Sequence, residues 1–185
     1  MCRMPPSPSE ALVAEGEVVR TSAPAPRVRV GFAPVKGDRV EGVVQKLTEL
    51  GVDRIELLET ERSVVRWRGE RAARQQDRLA EVVRAAASQC RRLWLPELRL
   101  SGGGGPLPAG ALADAGGRPM RASDTTVLVG PEGGWTDAER ASRELIGLGP
   151  HVLRADTAAV VAAAMMAGLR SGLVAPAPPE GSTAC

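Results

Sequence analysis

The chain is poor in the residues that metal, redox and triad chemistry need. It has three cysteines in 185 residues, Cys2, Cys90 and Cys185, with no CxxC pair among them. Its single histidine, His151, has no Cys or Asp at ligand spacing, so no metal site is expected. For the same reason no Ser-His-Asp or Cys-His arrangement can be assembled. Three widely spaced thiols fit a reducing, cytoplasmic setting. Residues 1–26 carry proline and charge where a signal peptide has an apolar run. The small apolar stretch 155–169 ends at Arg170, short of a membrane span, so no membrane partner is expected. Lysine is scarce as well: Lys36 and Lys46 stand against 22 arginines, at a net charge of +2. Composition rich in Ala, Gly and Pro accounts for much of that arginine, so only its clustering carries information.

What the chain does have is a short β-branched run that empties into glycine, Thr125-Thr126-Val127-Leu128-Val129-Gly130-Pro131-Glu132-Gly133-Gly134-Trp135-Thr136. Thr136 with Glu139 three residues later has the pattern of a capping box, so the spacing predicts strand, glycine loop, helix. Open α/β sheets hold small ligands at such places. The loop lacks the Gly-Lys-Ser/Thr ending of a phosphate-cradling P-loop and the spacing of GxGxxG. Glu132 repels polyphosphate but tolerates a cation or a neutral adenosine. A tight turn with no ligand fits the local chemistry equally well.

The length suits one domain with a core that needs no staples. Residues 1–10 and 175–185 read as disordered, and 11–20 as one short strand. Strands are expected over 27–34, 53–59, 93–100 (interrupted by Pro96), 125–129 and 151–154. Helices are expected from Asp38 to Gly51, over 69–92, over 136–146, and from Asp156 or Thr157 onward. Residues 101–123 show little periodicity. Strands alternating with helices at this spacing indicate an α/β fold with a mainly parallel sheet flanked by helices.

Parallel strands point their carboxyl ends one way, so residues 34–39, 60–67, the Gly130 loop and residues 147–157 can line one crevice. Residues 62–92 hold nine arginines against three acidic residues, Glu70, Asp77 and Glu81. Such a run is either a phosphate-backbone footprint or a solvated helix face. It is flanked by Trp67 and Trp94, either of which can stack on a base or fill the core; for Trp94 the core is expected. His151 is expected to be structural or exposed, and Met165-Met166 to pack a helix face or a dimer seam.

In order along the chain, Lys36-Gly37-Asp38-Arg39, residues 45–52 (QKLTELGV), Arg62-Ser63, Gln89 with Arg91-Arg92, the GPEGGW loop and the LGxxVLRxxTA segment from Leu148 resemble the RsmE-type 16S rRNA (uracil-N3) methyltransferases of the SPOUT class. The resemblance covers roughly residues 27–174. It implies S-adenosyl-L-methionine (SAM) as methyl donor, a C-terminal trefoil knot of the kind that is rare among folds, and a homodimer acting on 16S rRNA or the small ribosomal subunit. By that likeness the cofactor is held by Val129, Gly130, Pro131, Glu132, Gly133, Gly134, Leu148, Gly149, Val152 and Leu153, with Arg154 and Thr157 as braces. Lys36, Arg39, Lys46, Arg62, Arg66, Gln89 and Arg92 are placed toward RNA. Arg39, Arg62 and Glu132 are the catalytic candidates, and the proton acceptor is unassigned.

Two departures from the family pattern shape further expectations. Residues 1–26 are either disordered or a remnant of a PUA-like RNA-binding domain, residues 27–174 form the SPOUT domain, and residues 175–185 are a tail. Residues 101–123 are short and Gly-rich where the family has a helix and a strand, so one α/β unit is expected to be missing. An alternative is a shortened homologue that dimerises or binds RNA with weak or no turnover; a generic nucleotide-binding α/β domain is disfavoured by the absent phosphate motifs.

Overall fold

The computed structural model describes residues 21–35, 39–101 and 105–175. Six strands, β1 (Arg29–Phe32), β2 (Arg54–Leu57), β3 (Glu97–Leu100), β4 (Ala111–Arg118), β5 (Thr126–Val129) and β6 (Leu145–Ile146), form one sheet in the order β3-β2-β1-β5-β4-β6. All the pairings are parallel. The described helices are α1 (Arg39–Glu49), α2 (Gly69–Gln89), α3 (Asp137–Arg140) and α4 (Ala155–Ser171).

The centre of the sheet is buried on both faces, which is why β5 reads as a nearly continuous apolar run. Val30, Phe32, Val127 and Leu128 are fully buried there. Helix α1 turns Val40, Val43, Val44 and Leu47 inward at helical spacing. Helix α4 packs on β1, β5 and α1 through Ala158, Ala159, Ala162 and Ala163, whose small side chains allow close approach to the sheet.

The amino-terminal edge of the sheet is held by Asp53. Its Oδ2 accepts from the backbone N–H of Val28 at 2.9 Å and from Arg170 Nη1 at 2.6 Å, and its Oδ1 accepts from Arg92 Nη2 at 3.1 Å. The two arginines also donate to the carbonyls that end α1: Arg92 to Thr48 O at 3.0 Å and Arg170 to Gly51 O at 2.9 Å. Cations at a helix carboxyl terminus satisfy its unpaired carbonyls and oppose its dipole. Burial pushes the Arg92 guanidinium below its usual pKa, and the charge of Asp53 opposes that shift.

Several sequence expectations change. Residues 101–123 are not a featureless bridge: they contain β4, which lies between β5 and β6. The expected loss of a strand is therefore wrong; what the described residues lack between β3 and β4 is a helix. Gly116-Gly117 and the alanines hid this strand, because its neighbours on both sides create it rather than its own propensity. Helix α3 stops at Arg140, since Ala141 leaves helical geometry (φ −56°, ψ 130°) and Leu145–Ile146 pair with β4 instead. Residues 151–154 are not a strand, and α4 begins at Ala155. The strand expected over 11–20, the cap expected at Asp38 and the terminal tails lie outside the described residues.

Among the described residues no helix is long and apolar enough to cross a membrane, and no group of three or more His, Cys, Asp or Glu is placed to hold a metal ion.

Replacing Asp53 strands two mostly buried guanidinium groups. Asp53→Ala is expected to lower stability by about 3 kcal/mol, the scale of a broken buried ion pair, measured by equilibrium urea unfolding.

Candidate functional site

The carboxyl ends of β1, β2, β4 and β5 open on one edge of the sheet, and β5 is central there. The chain leaves β5 through residues 130–135. Gly134 sits at φ 70°, a conformation that favours glycine, and its N–H donates to Pro131 O at 2.8 Å. Thr136 then caps α3: its Oγ1 accepts from Glu139 N at 3.3 Å, while the Glu139 carboxylate accepts from Thr136 N at 2.9 Å. Trp135 is buried against this loop, and its indole N–H donates to Ala113 O of β4 at 3.1 Å. The ring covers Gly130 so closely that a Cβ there would lie 3.0 Å from Trp135 Cε2.

Residues 147–155 form the opposite wall, and together the two segments enclose a cavity of about 200 Å³. Of the twelve residues expected to hold a cofactor, Val129, Gly130, Pro131, Glu132, Gly134, Leu148, Gly149, Val152 and Leu153 line it. Gly133, Arg154 and Thr157 do not. Gly133 faces a neighbouring cavity. Arg154 is exposed and pairs with Glu132 at 3.6 Å and Asp156 at 3.8 Å. Thr157 is exposed in the first turn of α4, its N–H bonded to Asp156 Oδ1 at 2.9 Å. Sequence reasoning missed Ala113, Asp114 and Ala115 in the lining, because β4 itself is not legible in the residue pattern; His151, expected to be structural or exposed, is exposed and lines the cavity. Trp135 belongs to the GPEGGW motif, which by itself assigns it no role.

The neighbouring cavity, of about 160 Å³, is bounded by Pro34, Val35, Arg39, Arg62, Val64, Val65, Pro131, Glu132 and Gly133. It brings together all three catalytic candidates, Arg39, Arg62 and Glu132, and it shares Pro131 and Glu132 with the first cavity. Arg62 Nη1 donates to Gly133 O at 2.8 Å and to Trp135 O at 3.4 Å. Glu61 N donates to Glu139 Oε1 at 3.0 Å. The β2–α2 connection is thus fastened to the glycine loop at two points. Arg39 pairs with Asp156 at 3.3 Å.

The other basic candidates separate. Arg66 lies close by, half-exposed, and donates to Glu61 O at 3.1 Å and Ser63 O at 3.3 Å. Lys46 and Gln89 are exposed at the far ends of α1 and α2, at the opposite edge of the sheet. Arg92 is turned inward onto Asp53, its side chain only 11% exposed, so it is not presented at the surface. Lys36 lies outside the described residues. Trp94 reverses its expectation: it is 45% exposed, whereas Trp67 packs against the core.

Residues 22–101 and 109–167 match the family described as the RNA methyltransferase domain. The chain belongs to that family. It is 28% identical over 164 residues to the ribosomal RNA small subunit methyltransferase E of Bacillus subtilis, covering 74% of this chain and 63% of that protein. It is 29% identical over 170 residues to the protein of the same name from Synechocystis, covering 77% of this chain and 53% of the relative. The chain therefore spans between about half and two thirds of the length of these relatives. The fold is similar to that of ribosomal RNA small subunit methyltransferase E from Neisseria gonorrhoeae bound to SAM, at a TM-score of 0.64 and 31% identity, covering 80% of this chain and 69% of that one. In this RNA methyltransferase domain the glycine loop and β4 are joined through Trp135.

That joint makes a stability prediction. Gly130→Ala pushes on the buried indole and is expected to cost about 1–2 kcal/mol, as overpacking does. Gly133→Ala meets only the Arg62 side chain, at 3.5 Å, and is expected to change stability by less than about 0.5 kcal/mol. Thermal unfolding of the two variants checks the contrast.

Proposed function

We propose that this domain is a SAM-dependent methyltransferase of small-subunit ribosomal RNA, acting at N3 of a uridine in 16S rRNA. The observation that carries this is the adjacency of two cavities across Pro131 and Glu132, one mainly apolar and one walled by Arg39 and Arg62. The first suits an adenosine. No hydrogen bond among the described residues uses the backbone N–H of Leu148, Gly149, Val152 or Leu153, so these amides are available to a ligand's ring nitrogens. Gly130, with Trp135 behind it, lets the backbone come near that ligand. When bound, SAM supplies an activated methyl group with a built-in leaving group.

The chain's own residues then orient and stabilise. A uracil N3–H is a weak acid, so transfer needs its anion favoured. Arg39 and Arg62 line the second cavity, where their charge stabilises negative charge on the uracil carbonyl oxygens. Glu132 is the carboxylate common to both cavities, and in this reading it accepts the proton. Arg62 also holds the glycine loop through Gly133 O, so its role is to fix the two cavities relative to each other.

Three further features belong to the same proposal. The chain leaves β5 outward to β6 and returns as α4 onto β1, which supports the trefoil knot that the resemblance implies. A homodimer is supported by an apolar groove of about 600 Å³ that includes Met120, Met165, Leu169 and Val174, beside the exposed Leu173. A substrate in the small ribosomal subunit supports a cytoplasmic setting.

Incubation with tritium-labelled SAM and small ribosomal subunits unmodified at the target is expected to label 16S rRNA. Arg39→Ala is expected to slow transfer by about a hundredfold, the effect of removing one oxyanion-type donor, while SAM affinity by isothermal titration stays within about threefold. Failure of the wild-type protein to bind SAM or to label the RNA would refute the proposal.

A further inference from the structure

Strand β4 departs from regular pairing where it meets the first cavity. Its partner residue Ile146 of β6 is opposite Ala113 and again opposite Arg118, so residues 114–117 loop out of the ladder. That bulge carries Asp114 and Ala115 into the cavity wall, facing the glycine loop. Bulges re-aim side chains in this way. The Asp114 side chain is only 16% exposed and is held at both oxygens: Oδ2 by Arg140 Nη2 at 2.5 Å, and Oδ1 by the N–H of Gly116 at 3.2 Å.

The charge of this wall is one-sided. Among the described residues, Asp114 and Glu132 line the cavity and no arginine or lysine does; the remaining titratable side chain in the lining is His151. Glu132 is 64% exposed and screened by water as well as by Arg154. Arg140, the counter-ion of Asp114, is 39% exposed and stands outside the lining. Of the two carboxylates Asp114 is the less solvated, and a charge shielded from water acts more strongly on its neighbours.

We propose that Asp114 is a specificity-determining residue that favours the cationic sulfonium form of the cofactor over its neutral thioether product, S-adenosylhomocysteine. The proposal rests on the SAM reading of the cavity. Methyl transfer breaks one sulfur–carbon bond, leaves its electron pair on sulfur and removes one positive charge from the ligand; the accepting nitrogen forms the new bond and loses its proton. A carboxylate in the wall therefore holds the substrate cofactor more tightly than the spent one and promotes release of the latter. Arg140 and Gly116 fix the direction of the carboxylate, and the bulge brings it there.

Isothermal titration of both ligands against the wild type, Asp114→Asn and Arg140→Gln tests this, with circular dichroism to confirm folding. Asp114→Asn keeps the shape and removes the charge. It is expected to lower the ratio of SAM to S-adenosylhomocysteine affinity by about tenfold, the scale of one poorly solvated charge contact, with the product's affinity nearly unchanged. Arg140→Gln unmasks Asp114 and is expected to raise the ratio, which keeps the test open if Asp114→Asn misfolds. An unchanged ratio in both folded variants, in a protein that binds SAM, overturns the role of Asp114 and leaves the cavity's assignment standing. A wild-type protein that binds neither ligand overturns both.

Discussion

Strand β5 lies between β1 and β4, in parallel register with both, and the site depends on that position. A loop leaving the central strand has neighbours on two sides. Toward β1 and β2 it meets Arg39 and Arg62; toward β4 it meets Asp114 and the carbonyl that receives Trp135. Residues 130–135 therefore separate a basic cavity from one whose charged side chains are acidic. Parallel pairing makes this geometry unavoidable, because all strand ends of one polarity gather at one edge.

The opposite edge does different work. There Asp53 gathers the start of β1, the end of α1, the segment before β3 and the last turn of α4 through Val28, Arg92 and Arg170. A buried carboxylate between two arginines is costly to desolvate, and it is retained where the hydrogen bonds around it are complete. Arg92 and Arg170 complete them by also capping α1. Since α4 directly follows the cavity wall at residues 147–155, this anchor also fixes where that wall begins.

The arginines of this chain thus fall into distinct populations. Arg92 and Arg170 are structural and mostly buried. Arg68 and Arg78 are exposed, the first bound to the mostly buried carboxylate of Glu59 and the second to Glu41. Arg39 and Arg62 face the second cavity. A count of nine arginines over residues 62–92 merges these roles, since partners are chosen in three dimensions: Arg92 finds Asp53 across 39 positions of sequence.

Much of the site is legible in the residue pattern alone. Residues 125–139 state their own geometry, because capping boxes and glycine turns are local chemistry; Thr136 and Glu139 bond as their spacing requires. The alternation of apolar strands and amphipathic helices is likewise local, and α1 and α2 follow it. Strand β4 is not legible, since Ala111–Arg118 has weak strand propensity and exists through β5 and β6 on either side. The same pairing draws Leu145–Ile146 out of the expected helix. The sequence by itself determined the loop, the helix faces and the α/β class, all set by interactions a few residues apart. Tertiary structure alone decided that Asp114 enters the cavity, that Arg92 leaves the surface and that Arg39, Arg62 and Glu132 meet, because each depends on which strand lies next to which.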